Sequence, residues 1–168
     1  MTISMYQASV PVFLRMLNNL ANILEKAAVH AEARKIDPSV LLSSRLFPDM
    51  FALVRQVQSV SDTAKGCGAR LAGVDVPKYE DTETTFSELV ERLRKTAAFL
   101  ETLKPDQIDG SEDRTVTLQM RTGPMNFKGL PYLLHFALPN FYFHLTTAYN
   151  VLRHNGVEVG KLDYLGAQ

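Results

Sequence analysis

The sequence predicts an all-α, up-down-type four-helix bundle that carries one small β-hairpin before the fourth helix. Three observations predict it. Apolar residues recur at alternating spacings of four and three along four separate stretches, and at about 100° per residue such spacing draws one narrow stripe along a helix. Breaks rich in Pro, Gly and Asp, with capping chemistry at their edges, divide the stretches. One passage, Thr115 to Lys128, alternates polar and apolar residues instead, which is the period of a strand.

The first helix is expected from about Ser4 to Arg34. Its seam is Tyr6, Val10, Phe13, Leu17, Leu20, Leu24, Ala27 and Ala31. Pro11 falls within its first turns and is expected to bend them. His30 lies just off the stripe and reads as a surface or rim histidine. Asp37 and Pro38 then restart a short helical segment as N-cap and N1 residue.

The second helix is expected from Phe47 or Pro48 to Leu71, with Leu46, Met50, Leu53, Val57, Val60, Ala64, Cys67 and Leu71 along its seam. Cys67 on that seam reads as a small buried hydrophobe. Gly66 and Gly68 beside it weaken the helix or permit close packing, and Gly73 closes it. A loop containing Pro77 follows. Asp81 to Thr85 supplies caps and early negative charge for a third helix, expected to run to Leu103 or Lys104 with Phe86, Leu89, Val90, Leu93, Ala97 and Leu100 inward. Glu88–Arg92 and Glu91–Lys95 are i,i+4 pairs and read as its solvated face.

Lys104-Pro105 ends that helix, and Asp106 to Asp113 is a polar loop. In the alternating passage, Thr122-Gly123-Pro124 is a turn and Met125 to Lys128 the returning strand. A lone hairpin is marginal in water, so it is expected to pack on the bundle through Val116, Leu118 and Phe127.

The fourth helix organises the chain. Leu134, Leu138, Phe141, Leu145, Ala148 and Leu152 form its stripe. Arg153 and His154 meet the negative end of its dipole, and Gly156 follows as the C′ glycine. Pro131 fits a first turn, whereas Pro139 is expected to kink the helix. His144 lies roughly 80° from the stripe's centre, with Asn140 one turn earlier on the same flank. Phe136 and Phe143 point away from the seam and require cover from the chain or from another subunit. After the helix, the tail Val157 to Leu165 carries enough apolar residues to pack back.

Composition sets the outer bounds. The 168 residues suggest one domain, 1–168, able to bury a sizeable core. Eighteen basic and 18 acidic residues balance, so neither a nucleic-acid partner nor a charged tail is expected. A single cysteine precludes an internal disulfide, and with no signal peptide visible a cytoplasmic setting is the default. No stretch is long enough to span a bilayer, so no membrane partner is expected.

The passage FHLTTAYNVLRHNGVEVGKLDYLG, with LFPDMFALVRQVQ at Leu46 to Gln58, ARLAG at Ala69 to Gly73 and the LPNFYFH run, resembles a bacterial family of uncharacterised proteins within the DinB/YfiT-like superfamily. The resemblance implies a DinB-like bundle, often dimeric. It also implies, for many members, a divalent metal such as zinc or nickel held by three histidines: one from the second helix and an H-x3-H pair from the fourth. The LR-x2-G ending, Leu152 to Gly156, places His144 on the second histidine of that pair and Asn140 on the first. The second helix offers Gln56, Gln58 and Asp62 but no histidine. A metal site, if retained, is therefore expected from His144, Asn140 and Asp62, with Tyr142, Tyr149 and Gln58 lining a pocket; the alternative expectation is a chain with no cofactor. A neutral amide is a poor substitute for imidazole on such an ion.

Two functions follow as expectations. One is a binding module, taking a small-molecule ligand or self-associating as a homodimer, with the superfamily's metal site degenerate. The alternative is a metal-dependent enzyme of the thiol-transferase kind around His144. Nucleophilic catalysis by Cys67 finds no neighbouring base.

Overall fold

A computed structural model describes residues 3–120 and 122–166. Four long helices form the bundle: α1 (Val10–Arg34), α3 (Leu53–Ala72), α4 (Phe86–Glu101) and α7 (Leu138–His154). Short elements join them: α2 (Pro38–Leu42), α5 (Pro105–Ile108), strands β1 (Thr115–Met120) and β2 (Gly123–Lys128), α6 (Gly129–Tyr132) and the terminal α8 (Lys161–Leu165). The seams of the four long helices supply the core, with Phe13, Leu17, Leu20, Val57, Leu89, Leu93, Phe141 and Leu145 all buried.

Several ends follow the local chemistry. Asp37 accepts a hydrogen bond from the Ser39 amide at 2.9 Å and starts α2. Thr85 and Glu88 form the reciprocal capping box of α4. Gly73, at φ 72°, closes α3 in the left-handed conformation. Other ends differ from expectation. α1 begins at Val10 rather than Ser4, because Pro11 has no N–H to continue a helix from an earlier turn and instead occupies the first turn. α3 begins at Leu53 rather than Phe47 or Pro48. Leu46 and Phe47 lie exposed on the connecting loop.

The helix order is not the sequential up-down one. α1 packs chiefly on α4, and α3 lies between α4 and α7. Side-chain pairs give the directions. Gln56–His144 and Thr63–Asn140 make α3 antiparallel to α7. Ser61–Thr96 near one end, and Gly68 against Leu100 and Leu103 near the other, make α3 parallel to α4. Two parallel helices need a connection that returns along their length. α3, of 20 residues, is about 30 Å long. The segment 73–85, at up to about 3.5 Å per residue, spans that distance extended. Long crossovers of this kind free consecutive, neighbouring helices from running antiparallel.

The fourth helix contains a π turn over Leu133–Ala137, in which the Leu138 amide donates to the Leu133 carbonyl. It directly precedes Pro139, whose missing N–H leaves the His135 carbonyl without its helical donor. The extra residue in the turn rotates everything before it. Leu133 is therefore buried, and Leu134, expected on the seam, is exposed. Phe136 does not pair with Phe143 on an outer face: it packs at 5.4 Å from Phe127 of the hairpin and 6.0 Å from Tyr132.

The hairpin pairs Val116 with Phe127 and Leu118 with Met125. Val116 and Leu118 are buried, which places the expected face on the bundle. The tail packs back along α1: Val157 and Val159 are buried, Asn19 donates to the Tyr164 carbonyl at 3.0 Å, and Lys26 pairs with Asp163 at 2.5 Å. Among the described residues, no helix is long and apolar enough to cross a membrane.

Candidate functional site

His144 sits at the α3–α7 seam, half-buried, and its surroundings assign its proton. Gln56 Nε2 donates to the Phe51 carbonyl at 3.1 Å. A carbonyl only accepts, so Gln56 turns its Oε1 towards His144 Nδ1, 2.7 Å away. Nδ1 therefore carries the hydrogen, and Nε2 is left as the bare acceptor. Burial, helped by the nearby Arg55 charge, holds the imidazole below its ordinary pKa, so it is neutral at pH 7.

Aromatic rings flank the histidine. Phe51, 51% exposed, lies nearly parallel to it, with ring centres 6.3 Å apart. Phe143, 56% exposed, meets it edge-on at 5.3 Å. Arg55 stands over the outer ring, 5.8 Å from the Phe51 centre. One turn along α7 on the same flank as His144, Asn140 donates from Nδ2 to Thr63 Oγ at 2.9 Å, which leaves its Oδ1 without a protein donor among the described residues. The result is an open surface: one acceptor nitrogen, one amide oxygen and two exposed rings.

The other expected site residues lie elsewhere. Asp62 faces α4, pairing with Arg92 at 2.8 Å and Lys65 at 2.9 Å. Gln58 also faces that way and donates to Glu83 at 2.8 Å. Tyr142 and Tyr149 belong to the seam between α7 and the tail. Tyr149 meets Tyr164 edge-on at 5.8 Å, and Tyr142, its phenol raised by burial and by Tyr164, lies on the same side. Cys67 is buried, with its thiol pushed up by that burial, and is inert.

Residues 5–165 match the family described as a domain of unknown function, DUF1993. The chain belongs to that family. A crystal structure of a DinB family member protein from Shewanella denitrificans is 44% identical, with a TM-score of 0.89, and the match covers 97% of this chain and 92% of that one. Curated proteins give no match.

The DinB-like relationship makes the superfamily's metal a direct question for this DUF1993 chain. The residues do not fit it. Where the three-histidine set needs a ligand from the second long helix, α3 presents Gln56, whose oxygen is already taken by His144. Asp62 is neutralised by two cations. Among the described residues, no group of three or more His, Cys, Asp or Glu side chains could hold a metal ion. One imidazole and one amide oxygen fall short of the three good ligands a first-row divalent ion takes from protein.

Sequence reasoning missed two parts of this arrangement. Spacing places Phe51 within the second helix, whereas it lies before the start of α3, and no sequence motif marks Thr63. Gln56 and Thr63 are seven apart, as neighbours on one helical face must be, and that spacing was a usable signal for what opposes Asn140 and His144. Also missed was Arg92, expected on a solvated face with Glu88. Its side chain is 2% exposed, while Glu88 instead caps α4 through Thr84 and Thr85.

Proposed function

We propose that this DUF1993 chain is a non-covalent binding module and that the His144 surface is where it binds. The observation that carries the reading is the Gln56 contact. It fixes the imidazole's tautomer and aims a neutral, unprotonated Nε2 outward between two exposed phenylalanines. Such an arrangement accepts a hydrogen bond from a small flat molecule bearing an N–H or O–H donor, while Phe51 and Phe143 cover its faces. The module reading leaves the superfamily's metal site degenerate, with His144 retained and amides, Asn140 and Gln56, in place of its other two histidines.

A second copy of the chain is the other occupant this surface suits, because exposed aromatic rings beside a polar rim are what a homodimer covers. The metal-dependent enzyme of the thiol-transferase kind is the weaker reading. Its one favourable observation is that a metal-ligating histidine also anchors its second nitrogen to an oxygen.

A fragment screen followed by imidazole NMR tests the reading. Hits that shift His144 and Phe143 signals, and vanish in His144→Ala, support it. A protein that stays monomeric by sedimentation and shifts nothing at His144 overturns it. Uptake of one zinc or nickel equivalent, lost in His144→Ala, would move the assignment to the metalloenzyme.

A further inference from the structure

The crossover between α3 and α4, residues 73–85, has an unusual attachment. None of its residues is buried, and Val74 is 38% exposed. Among the described residues, 75–83 makes no backbone–backbone hydrogen bond. Charge holds it instead. Asp81 pairs with Arg55 and lies 3.1 Å from Arg92. Glu83 accepts from Arg92 at 2.9 Å and from Gln58 at 2.8 Å. The Glu80 carbonyl accepts from Arg92 at 3.0 Å. The Tyr79 ring carries three cations: Lys95 at 4.5 Å, Lys65 at 4.9 Å and Arg92 at 5.6 Å.

We propose that this segment is an electrostatic strap that detaches as a unit while the bundle stays folded. Its acidic residues act as an internal ligand for a row of cations on α3 and α4: Arg55, Lys65, Arg92 and Lys95. Arg92 is buried because the strap covers it. When the strap leaves, Arg92 keeps two helix-borne partners, Asp62 at 2.8 Å and Ser61 at 3.2 Å. The helices themselves therefore retain part of their neutralisation. Their own seams, built from Val57, Val60, Leu89 and Leu93, do not depend on the strap. Release bares the cationic row, with Glu88 and Glu91 of α4 at its edge, as a surface for an anionic partner.

Acid and salt act in the same direction. Burial by itself would raise the Glu83 carboxyl, but hydrogen bonds from Arg92 and Gln58 outweigh it and hold the group below its ordinary value. The strap's attachment is thus present above the ordinary glutamate range and lost as pH falls through Glu83's lowered value. About 1 M salt shortens the Debye length to about 3 Å and screens the exposed pairs.

Trypsin cleavage after Lys78, which sits in the strap and is exposed, reads detachment at neutral pH. In the Asp81→Asn/Glu83→Gln variant, cleavage there should be about tenfold faster, as expected from losing charged hydrogen bonds. Far-UV circular dichroism should stay that of the parent. High salt should speed cleavage of the parent chain and have little further effect on the variant. In {1H}–15N NOE measurements, residues 74–85 should loosen while α3 and α4 stay rigid. Cleavage unchanged by both the substitutions and salt overturns the proposal. So does loss of order in the strap and helices together. The salt series on the parent protein decides the matter even if the variant fails to fold.

Discussion

Gln56 Oε1 and His144 Nδ1 meet 2.7 Å apart across the seam between α3 and α7. The Phe51 carbonyl holds Gln56 from the other side. Three residues thus act as one relay that decides which face the imidazole lone pair shows to solvent.

Gln56→Leu breaks this relay in the middle. The leucine fills similar space but leaves the Nδ1–H and the Phe51 carbonyl unpaired, which should cost about 1–3 kcal/mol. Chemical denaturation would measure the loss. The 15N shifts of the imidazole should also move, from one fixed tautomer towards a mixture. An unchanged tautomer would mean that Gln56 does not set it.

The pH dependence of stability should carry the signature of His144. Its folded pKa is lowered by burial and by Arg55. Between that value and the ordinary one near about 6.5, the unfolded chain binds more protons than the folded chain. Stability should therefore rise with pH across this window and fall as pH drops through it. Melting temperature against pH, compared in the parent and in His144→Leu, reads the contribution as a lost slope. Arg55→Met should move the histidine's titration upward.

Arg92→Met removes the cation that Asp62, Asp81 and Glu83 share. Breaking a buried pair from one side costs about 3–5 kcal/mol. Two of the carboxylates are 37% and 42% exposed, so solvent screening places the expected loss near the lower end, about 3 kcal/mol. A urea unfolding curve tests it. A loss below about 1 kcal/mol would show an ordinary surface charge.

Gly68→Ala and Gly66→Ala separate close helix packing from helix propensity. A Cβ at Gly68 would stand 2.6 Å from Leu100 Cδ2 and 2.8 Å from Leu103 Cδ1. Those are core atoms with no room to yield, so overpacking of about 1–3 kcal/mol should exceed the propensity gain of about 1 kcal/mol. At Gly66 the nearest atom is the Arg70 guanidinium, the end of a flexible side chain. Gly66→Ala should be close to neutral, and the two melting temperatures should differ accordingly.

Much of the fold was legible because its signals are local. The α4 seam, Phe86 to Leu100, is buried as spacing placed it. The hairpin turns its Val116 and Leu118 inward, and the caps at Asp37 and Gly73 lie where their residue types put them. Leu134 shows the limit of spacing. The π turn before Pro139 inserts one residue, and a pattern counted at 3.6 per turn then points to the wrong neighbour. At the candidate site, His144 and Asn140 do share a flank of α7. Their partners on α3 could not be read from one helix alone, which is why Asp62 and Gln58 were paired with them in place of Gln56 and Thr63.

The sequence by itself determined four amphipathic helices, a hairpin and most of their ends, because apolar period, capping and proline act within a few residues along the chain. Only the tertiary structure decided that α4 runs parallel to α3, since a long extended crossover is compatible with either direction until the helices pack. That single choice lays the acidic strap over the two helices. It turns Arg92, whose i,i+4 spacing from Glu88 is that of a solvated pair, into a charge 2% exposed. Burial of a charge depends on what passes over it, and that is settled by residues distant in sequence.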